Sequence, residues 1–224
     1  MSNVRYRLDL AFVGTGSQGW QSQKNGKGLQ DLLRRAVQEI ALGGRIPVGC
    51  SRTDSGVHAR RYSAHVAGGA IRTCEQVLLG LNAALPGKMR IYRTALVGGG
   101  FHARYSCVQK TYRYHWHRGS VVPPPQIPFV HKWSGPLDEQ AMARAAALFE
   151  GLHDFSQLTT AEGRQKGAAK NIDRCVLTRD SDLLVLEVRG RSFLHRMVRM
   201  IAGALLAFFS GRLELQEASV PQVK

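Results

Sequence analysis

Residues 46–67 read IPVGCSRTDSGVHARRYSAHVA, and this stretch decides the fold. Residues 46–51 and 62–67 each fit a short strand, while residues 52–59 between them are rich in turn formers and charge. Working outward, a helix and then a strand flank this β-β step on either side. Upstream, residues 4–13 alternate Val4, Tyr6, Leu8, Leu10 and Phe12 with Arg5, Arg7 and Asp9, the period of two that marks a half-buried strand. Leu29, Leu32, Leu33, Ala36, Val37 and Ile40 follow at helical spacing, stopped by Gly43 and Gly44. Downstream, Thr73 and Gln76 make a capping box for a helix through Leu85, ended by Pro86, and residues 90–97 read as a strand. The order β-α-β-β-α-β is the split βαβ plan of ferredoxin-like domains.

The same order begins again after residue 107. Residues 108–117 read as a strand and 138–150 as a helix with Ala141, Met142, Ala145, Leu148 and Phe149 on one side. Residues 172–178 and 183–188 are two strands joined by Arg179-Asp180-Ser181-Asp182, and 192–209 is a long apolar helix. A sixth strand is due next, but residues 212–224, with Glu214, Gln216 and Glu217, carry no strand pattern. The expected fold is α+β, with two ferredoxin-like halves and mainly antiparallel sheets. Residues 1–107 form an N-terminal half, and residues 108–224 a C-terminal half truncated before its last strand.

The chain has 224 residues, which suits one large domain or two small halves and needs no disulfide or metal for stability. A hydrophobic content of 44% with 24 Gly and 8 Pro excludes disordered and fibrous classes. Lys and Arg number 31 against 16 acids, so the formal charge is +15, which favours a polyanion as partner, nucleic acid first. Cys50, Cys74, Cys107 and Cys175 show no metal or redox spacing and read as reduced, mostly buried thiols. Charged residues in the first ten positions exclude a secretory signal, and the longest apolar run, 200–209, is half of the roughly 20 residues a membrane span needs. The expectation is a soluble cytoplasmic protein, organellar if its source is eukaryotic.

Several motifs carry bland readings. Gly14-Thr15-Gly16-Ser17-Gln18-Gly19 matches the dinucleotide fingerprint, but Asn25, Gly26 and Gly28 interrupt the chain before any helix can hold a pyrophosphate. Asp54-Ser55-Gly56 resembles an aspartic protease loop, yet it occurs once and follows Arg52 rather than an apolar strand. His115 and His117 share a strand face without a third metal ligand and read as surface histidines beside a basic patch. Gly151-Leu152-His153-Asp154-Phe155 reads as a helix exit and local turn. Two connections are long, 119–135 with three prolines and 156–171 with Arg164, Lys166 and Lys170; the second is a candidate for phosphate contact.

Ser51-Arg52-Thr53-Asp54-Ser55-Gly56-Val57-His58-Ala59 brings a guanidinium, a hydroxyl, a carboxylate and an imidazole together at the β-β connection. On composition alone it is equally a polar turn closed by an Asp54–Arg52 contact. Arg-Thr-Asp-x-Gly-Val-His-Ala resembles the catalytic motif of the tRNA pseudouridine synthase A family. The resemblance continues through Gly14-Thr15 with Gly19-Trp20-Gln21, Leu81-Asn82-Ala83-Ala84-Leu85-Pro86, Phe101-His102-Ala103-Arg104 and Lys110-Thr111-Tyr112-Arg113-Tyr114. It closes with Gly151-Leu152-His153-Asp154-Phe155 and Phe193-Leu194-His195-Arg196-Met197-Val198-Arg199, all in the same order as in the family. The chain departs at Ser17, where the family has an aromatic residue that packs in the loop, at Ser51 in place of Gly, and at the short C-terminus.

The resemblance implies isomerisation of uridine to pseudouridine in the tRNA anticodon stem-loop, on the pseudouridine synthase fold, by a homodimer that needs no cofactor or metal. Asp54 would be the catalytic carboxylate, with Arg199 as its cationic partner. A guanidinium in the apolar stretch 197–209 would be costly unpaired, and a nearby cation lowers an Asp pKa by roughly 1–3 units. Arg52 would fill the space left by the extruded uridine or hold its phosphate, and Tyr112 would stack on the detached uracil. Tyr114 and Trp116 on the same face make plain core packing the alternative for Tyr112. His58, Arg104, Lys110, Arg164, Lys166 and Lys170 join Arg52 as RNA-binding candidates. The rival from another class is a non-catalytic RNA-binding module on the same scaffold.

Overall fold

A computed structural model describes residues 4–42, 46–68, 72–164 and 167–211, so Gly43, Gly44, Lys166 and the segment 212–224 expected to lack the last strand lie outside the described residues. The chain divides into two compact units, Met1–Cys107 and Val108–Lys224. The architecture is α+β, with one mainly antiparallel sheet in each unit.

In the first unit, strand β1 (Val4–Phe12) pairs antiparallel on both sides, with β3 (Ala59–Gly68) and with β4 (Met89–Val97). A short edge strand, β2 (Val48–Gly49), completes the order β2-β3-β1-β4. The alternation seen in the sequence holds: Tyr6, Leu8, Leu10 and Phe12 are buried against helices α1 (Leu29–Glu39) and α2 (Cys74–Ala84), which contribute Leu29, Leu33, Ala36, Val37, Val77 and Leu81 to one core. Thr73 caps α2 as the sequence indicates, its hydroxyl accepting from the Gln76 N–H while the Gln76 side chain accepts from the Thr73 N–H. α1 has Gly28 as its cap, so Asp31 works in its place. Its buried carboxylate accepts from the Ser22 hydroxyl at 2.6 Å and from the N–H groups of Gln23 and Gly28. Burial alone would raise its pKa, but these hydrogen bonds and Arg34 together hold it below the ordinary value.

In the second unit, β5 (Lys110–His117), β8 (Ala169–Asp180) and β9 (Leu183–Gly190) form an antiparallel centre. A two-residue turn, Ser181-Asp182, joins β8 and β9 with Ser181 at φ 51°. Helices α3 (Glu139–Ala147) and α5 (Met197–Phe209) bury Met142, Ala146, Met197, Ile201 and Leu205 against Trp116, Leu184, Leu186 and Val188.

Four local expectations are corrected. Gly151-Leu152-His153-Asp154 is not a helix exit but strand β7 (Gly151–Asp154), paired with β8; four residues are too few to display a period of two. The stretch at 119–135 holds a 3-10 turn (Pro124–Phe129) and strand β6 (His131–Lys132), which lies parallel to the end of β5 and gives the order β6-β5-β9-β8-β7. The long connection at 156–171 is partly ordered as helix α4 (Ala161–Arg164), with β8 beginning at Ala169. The last helix starts at Met197, not at Ser192, because Arg196 is left-handed at φ 60° and the His195 carbonyl accepts from the Thr159 hydroxyl instead of from a helical N–H. Of the cysteines only Cys175 is buried, the other three being half-buried, and no disulfide joins any of the four. No helix among the described residues is long and apolar enough to cross a membrane.

Candidate active site

The connection from β2 to β3 carries Arg52, Asp54 and His58, and it rests on the loop that follows β1. Contact between the two joins main chain to main chain and main chain to side chain. The Trp20 N–H donates to the Thr53 carbonyl at 3.1 Å, and the Gly14 N–H donates to Nδ1 of His58 at 3.1 Å. A Cβ on Gly14 would fall on the Val57 carbonyl oxygen, and one on Gly19, at φ 81°, on the Thr53 carbonyl oxygen. The glycines therefore permit a close backbone approach rather than a phosphate cradle. The first N–H groups of α1 are directed at this loop, Leu29 donating to the Gly19 carbonyl at 3.0 Å and Gln30 to the Trp20 carbonyl at 2.9 Å.

Further ties fix the ends of the connection. The Ser55 hydroxyl donates to the Ser17 carbonyl at 3.0 Å, and Nζ of Lys88 donates to Oγ of Ser17 at 2.9 Å. Ser17 is buried, and it is held there by these polar ties. The Tyr62 hydroxyl donates to the Ser51 carbonyl, with its ring against Trp20 at 4.4 Å between centroids and Phe12 at 5.3 Å. Within the turn, the Val57 N–H donates to the Asp54 carbonyl at 3.2 Å, and Gly56 takes φ 79°. The carboxylate of Asp54 is thus carried half-buried on a turn with a fixed backbone, while Arg52 is exposed.

The second unit carries the other candidates on regular elements. Tyr112, on β5, is half-buried, packs against the core and meets Phe193 edge-on at 5.1 Å and 82°. Arg199 lies in the first turn of α5 and is exposed. The cost of an unpaired guanidinium in an apolar stretch therefore does not apply: the helix is apolar on its core side, and Arg199 is on the other. Lys110 donates to the Arg191 carbonyl at 3.0 Å, and Lys170 to the carbonyls of Gly167 and Ala169. Arg164 ends α4 and is exposed, as is Arg104 in the first unit; Lys166 lies outside the described residues. His117 is 2% exposed, so it is not a surface histidine.

Comparison with known proteins identifies what the chain as a whole is similar to. A family model described as tRNA pseudouridine synthase matches residues 145–221. The tRNA pseudouridine synthase A of Bordetella petrii is 36% identical, across 93% of this chain and 78% of its own length. Those of Halalkalibacterium halodurans and Neisseria gonorrhoeae are 34% and 35% identical, across 96% and 95% of this chain and 82% and 80% of their own lengths.

The chain belongs to the tRNA pseudouridine synthase A family.

The close backbone approach gives the Gly14–Gly19 loop a different meaning from the one its pattern suggests. Reading the sequence missed Gly14, Gly19, Ser17, Lys88 and Tyr62 as supports of the Asp54 turn. The signal was present in Gly-x-Gly-x-x-Gly directly after a strand, but it marked close approach of a second loop, not of a nucleotide.

Proposed function

We propose that this chain isomerises uridine to pseudouridine in tRNA, within the anticodon stem-loop, with Asp54 as the catalytic carboxylate. The observation that carries the reading is the clamping of the Asp54 turn by the Gly14–Gly19 loop, which presents a carboxylate on a backbone that is already ordered before substrate arrives. The reaction breaks the N1–C1′ bond, turns the uracil and rejoins it through C5, with no redox change and no net hydrolysis, so it calls for no cofactor. Positive charge develops at the sugar as the bond breaks, and a fixed anion beside C1′ stabilises it without reorganising. Addition to C1′ and removal of a sugar proton both require that carboxylate ionised. We assign Arg199 the cationic role and Tyr112 the stacking role given by the family resemblance; the exposure of Arg199 and the partly open ring of Tyr112 support both assignments.

Arg52, exposed two residues before Asp54, is placed in this reading against the extruded nucleotide. His58, Arg104, Lys110, Arg164, Lys166 and Lys170 are the further RNA contacts, and the +15 charge supports a phosphate-rich partner. We take the two units as ferredoxin-like halves. The order β2-β3-β1-β4 of the first sheet supports this, as does its echo β8-β9-β5 in the second. A cytoplasmic homodimer with tRNA across both subunits follows from the resemblance.

Incubating the protein with an unmodified tRNA transcript, then mapping carbodiimide adducts by sequencing, tests the reading. New pseudouridine in the anticodon arm is expected from the native chain. Asp54→Asn is expected to fold, bind tRNA and form none; turnover by that variant would remove Asp54 from its role. A native chain that binds tRNA without modifying it would be the non-catalytic module.

A further inference from the structure

After β4 the chain folds back over the side of the first sheet opposite its apolar core, where Arg5, Arg7 and His65 stand. The Arg5 guanidinium donates to the carbonyls of Gly99, at 2.9 Å, and Phe101. The Arg7 guanidinium lies 5.9 Å from the Phe101 ring centroid. His65, 6% exposed, accepts the Ala103 N–H at Nδ1 over 3.0 Å and meets the His102 ring at 4.9 Å. Residues 102–106 then close on themselves. The Ser106 N–H donates to the His102 carbonyl at 2.8 Å, and the His102 N–H donates to the Ser106 hydroxyl at 3.1 Å. Nδ1 of His102 accepts from the N–H groups of Arg104 and Tyr105, both at 3.3 Å.

The product of these ties is a fixed ring on the surface. Tyr105 stacks on His102 with centroids 4.3 Å apart and planes 27° apart, and the Arg104 guanidinium lies 5.9 Å from the Tyr105 centroid. Tyr105 is nevertheless 75% exposed, so its stacking on His102 leaves ring surface open. A single exposed aromatic residue is ordinary. This one differs in being oriented before any ligand binds, so capturing a flat partner costs little further side-chain entropy. It also sits beside a cation, and residues 98–106 contain no acid. An oriented π-face next to a guanidinium is what single-stranded nucleic acid uses: the base stacks and the neighbouring phosphate is neutralised.

We propose that Tyr105, stacked on His102 and flanked by Arg104, is a docking platform for one unpaired base of the RNA substrate. The assignment rests on the reading of that substrate as tRNA. His65 and Arg5 are positioning residues for it, since they hold the turn without reaching the base.

The test titrates the native chain, Tyr105→Ala, Tyr105→Trp and Arg104→Ala against an unmodified tRNA transcript, single-stranded oligouridylate and a blunt RNA duplex over a range of salt. Tyr105→Ala is expected to weaken binding of the transcript and the single strand by about 10-fold or more, with duplex binding and the salt slope unchanged. Tyr105→Trp restores that affinity. Arg104→Ala lowers the salt slope by about one phosphate contact. Unchanged affinity of Tyr105→Ala for both single-stranded targets overturns the platform, and so does a loss that sedimentation traces to an altered oligomeric state. Pseudouridine formation on the same transcript separates the two readings. Modification by the native chain with unaltered binding by Tyr105→Ala removes the platform alone. A Tyr105-dependent single-strand affinity without modification removes the catalytic reading alone. A native chain that binds neither RNA removes both.

Discussion

The Asp54 turn and the Tyr105 turn are both short, irregular segments of the first unit, yet the main support of each is different. The first is gripped above all by close backbone approaches that Gly14 and Gly19 allow, with side-chain ties from His58, Ser55 and Tyr62 added. The second is gripped by side chains, Arg5 and His65 reaching across from β1 and β3. A grip made of backbone fails when an atom is added, and a grip made of side chains fails when one is removed or charged.

The most severe break should come at Gly19. Gly19→Ala puts a methyl group on the Thr53 carbonyl at a positive φ, so the Asp54 turn is expected to shift. Displacement of about 1 Å in a reacting group costs about 100-fold, and a loss of pseudouridine formation of that order with tRNA affinity retained is expected. An Ala variant with native turnover would show that the grip is not needed.

Next in size is the effect of acid on the other turn. Burial, then the charges of Arg5 and His102, push the His65 pKa down from 6.5 to about 4. The unfolded chain takes up this proton at higher pH than the folded one, so stability is complete above 6.5 and falls as pH drops toward about 4. Melting temperatures measured over that window should decline, and the decline should be shallower in His65→Gln. Asp31 adds a separate loss lower down: its depressed pKa means stability present above 3.8 that disappears as pH falls through the folded value.

A smaller effect is expected at Lys88. Lys88→Met removes the tie to Ser17 but leaves the glycine contacts, so kcat should fall by only several-fold. The smallest effect is expected at Tyr112. Tyr112→Phe keeps the ring and its packing on Phe193, and tRNA affinity should stay native; a loss as large as that from Tyr105→Ala would mean that the hydroxyl is structural.

The elements that could be read from the sequence are those whose signal lies within their own residues. The alternation of β1 and the capping box of α2 are local, and both hold. β7 and β6 exist because of the strands they pair with, and neither is long enough to declare a period. The start of α5 was misread for a similar reason: Ser192 to Arg196 suit a helix, but Thr159 engages the His195 carbonyl. At the site, placing Asp54 on a β-β connection needed only the order of elements. Finding its supports needed the knowledge that the loop after β1 comes back to it, and no spacing rule contains that. Arg199 shows the limit of reasoning from a run of neighbours, since apolar residues on either side say nothing about the face between them.

The four thiols offer a clock. Cys175 is sealed in the second core, its thiol pushed up to about 12 by burial and then by Glu150, whereas Cys50, Cys74 and Cys107 are half-buried. A maleimide pulse should therefore tag three sulfurs early, and the delay before the fourth is tagged records how often β8 parts from its neighbours.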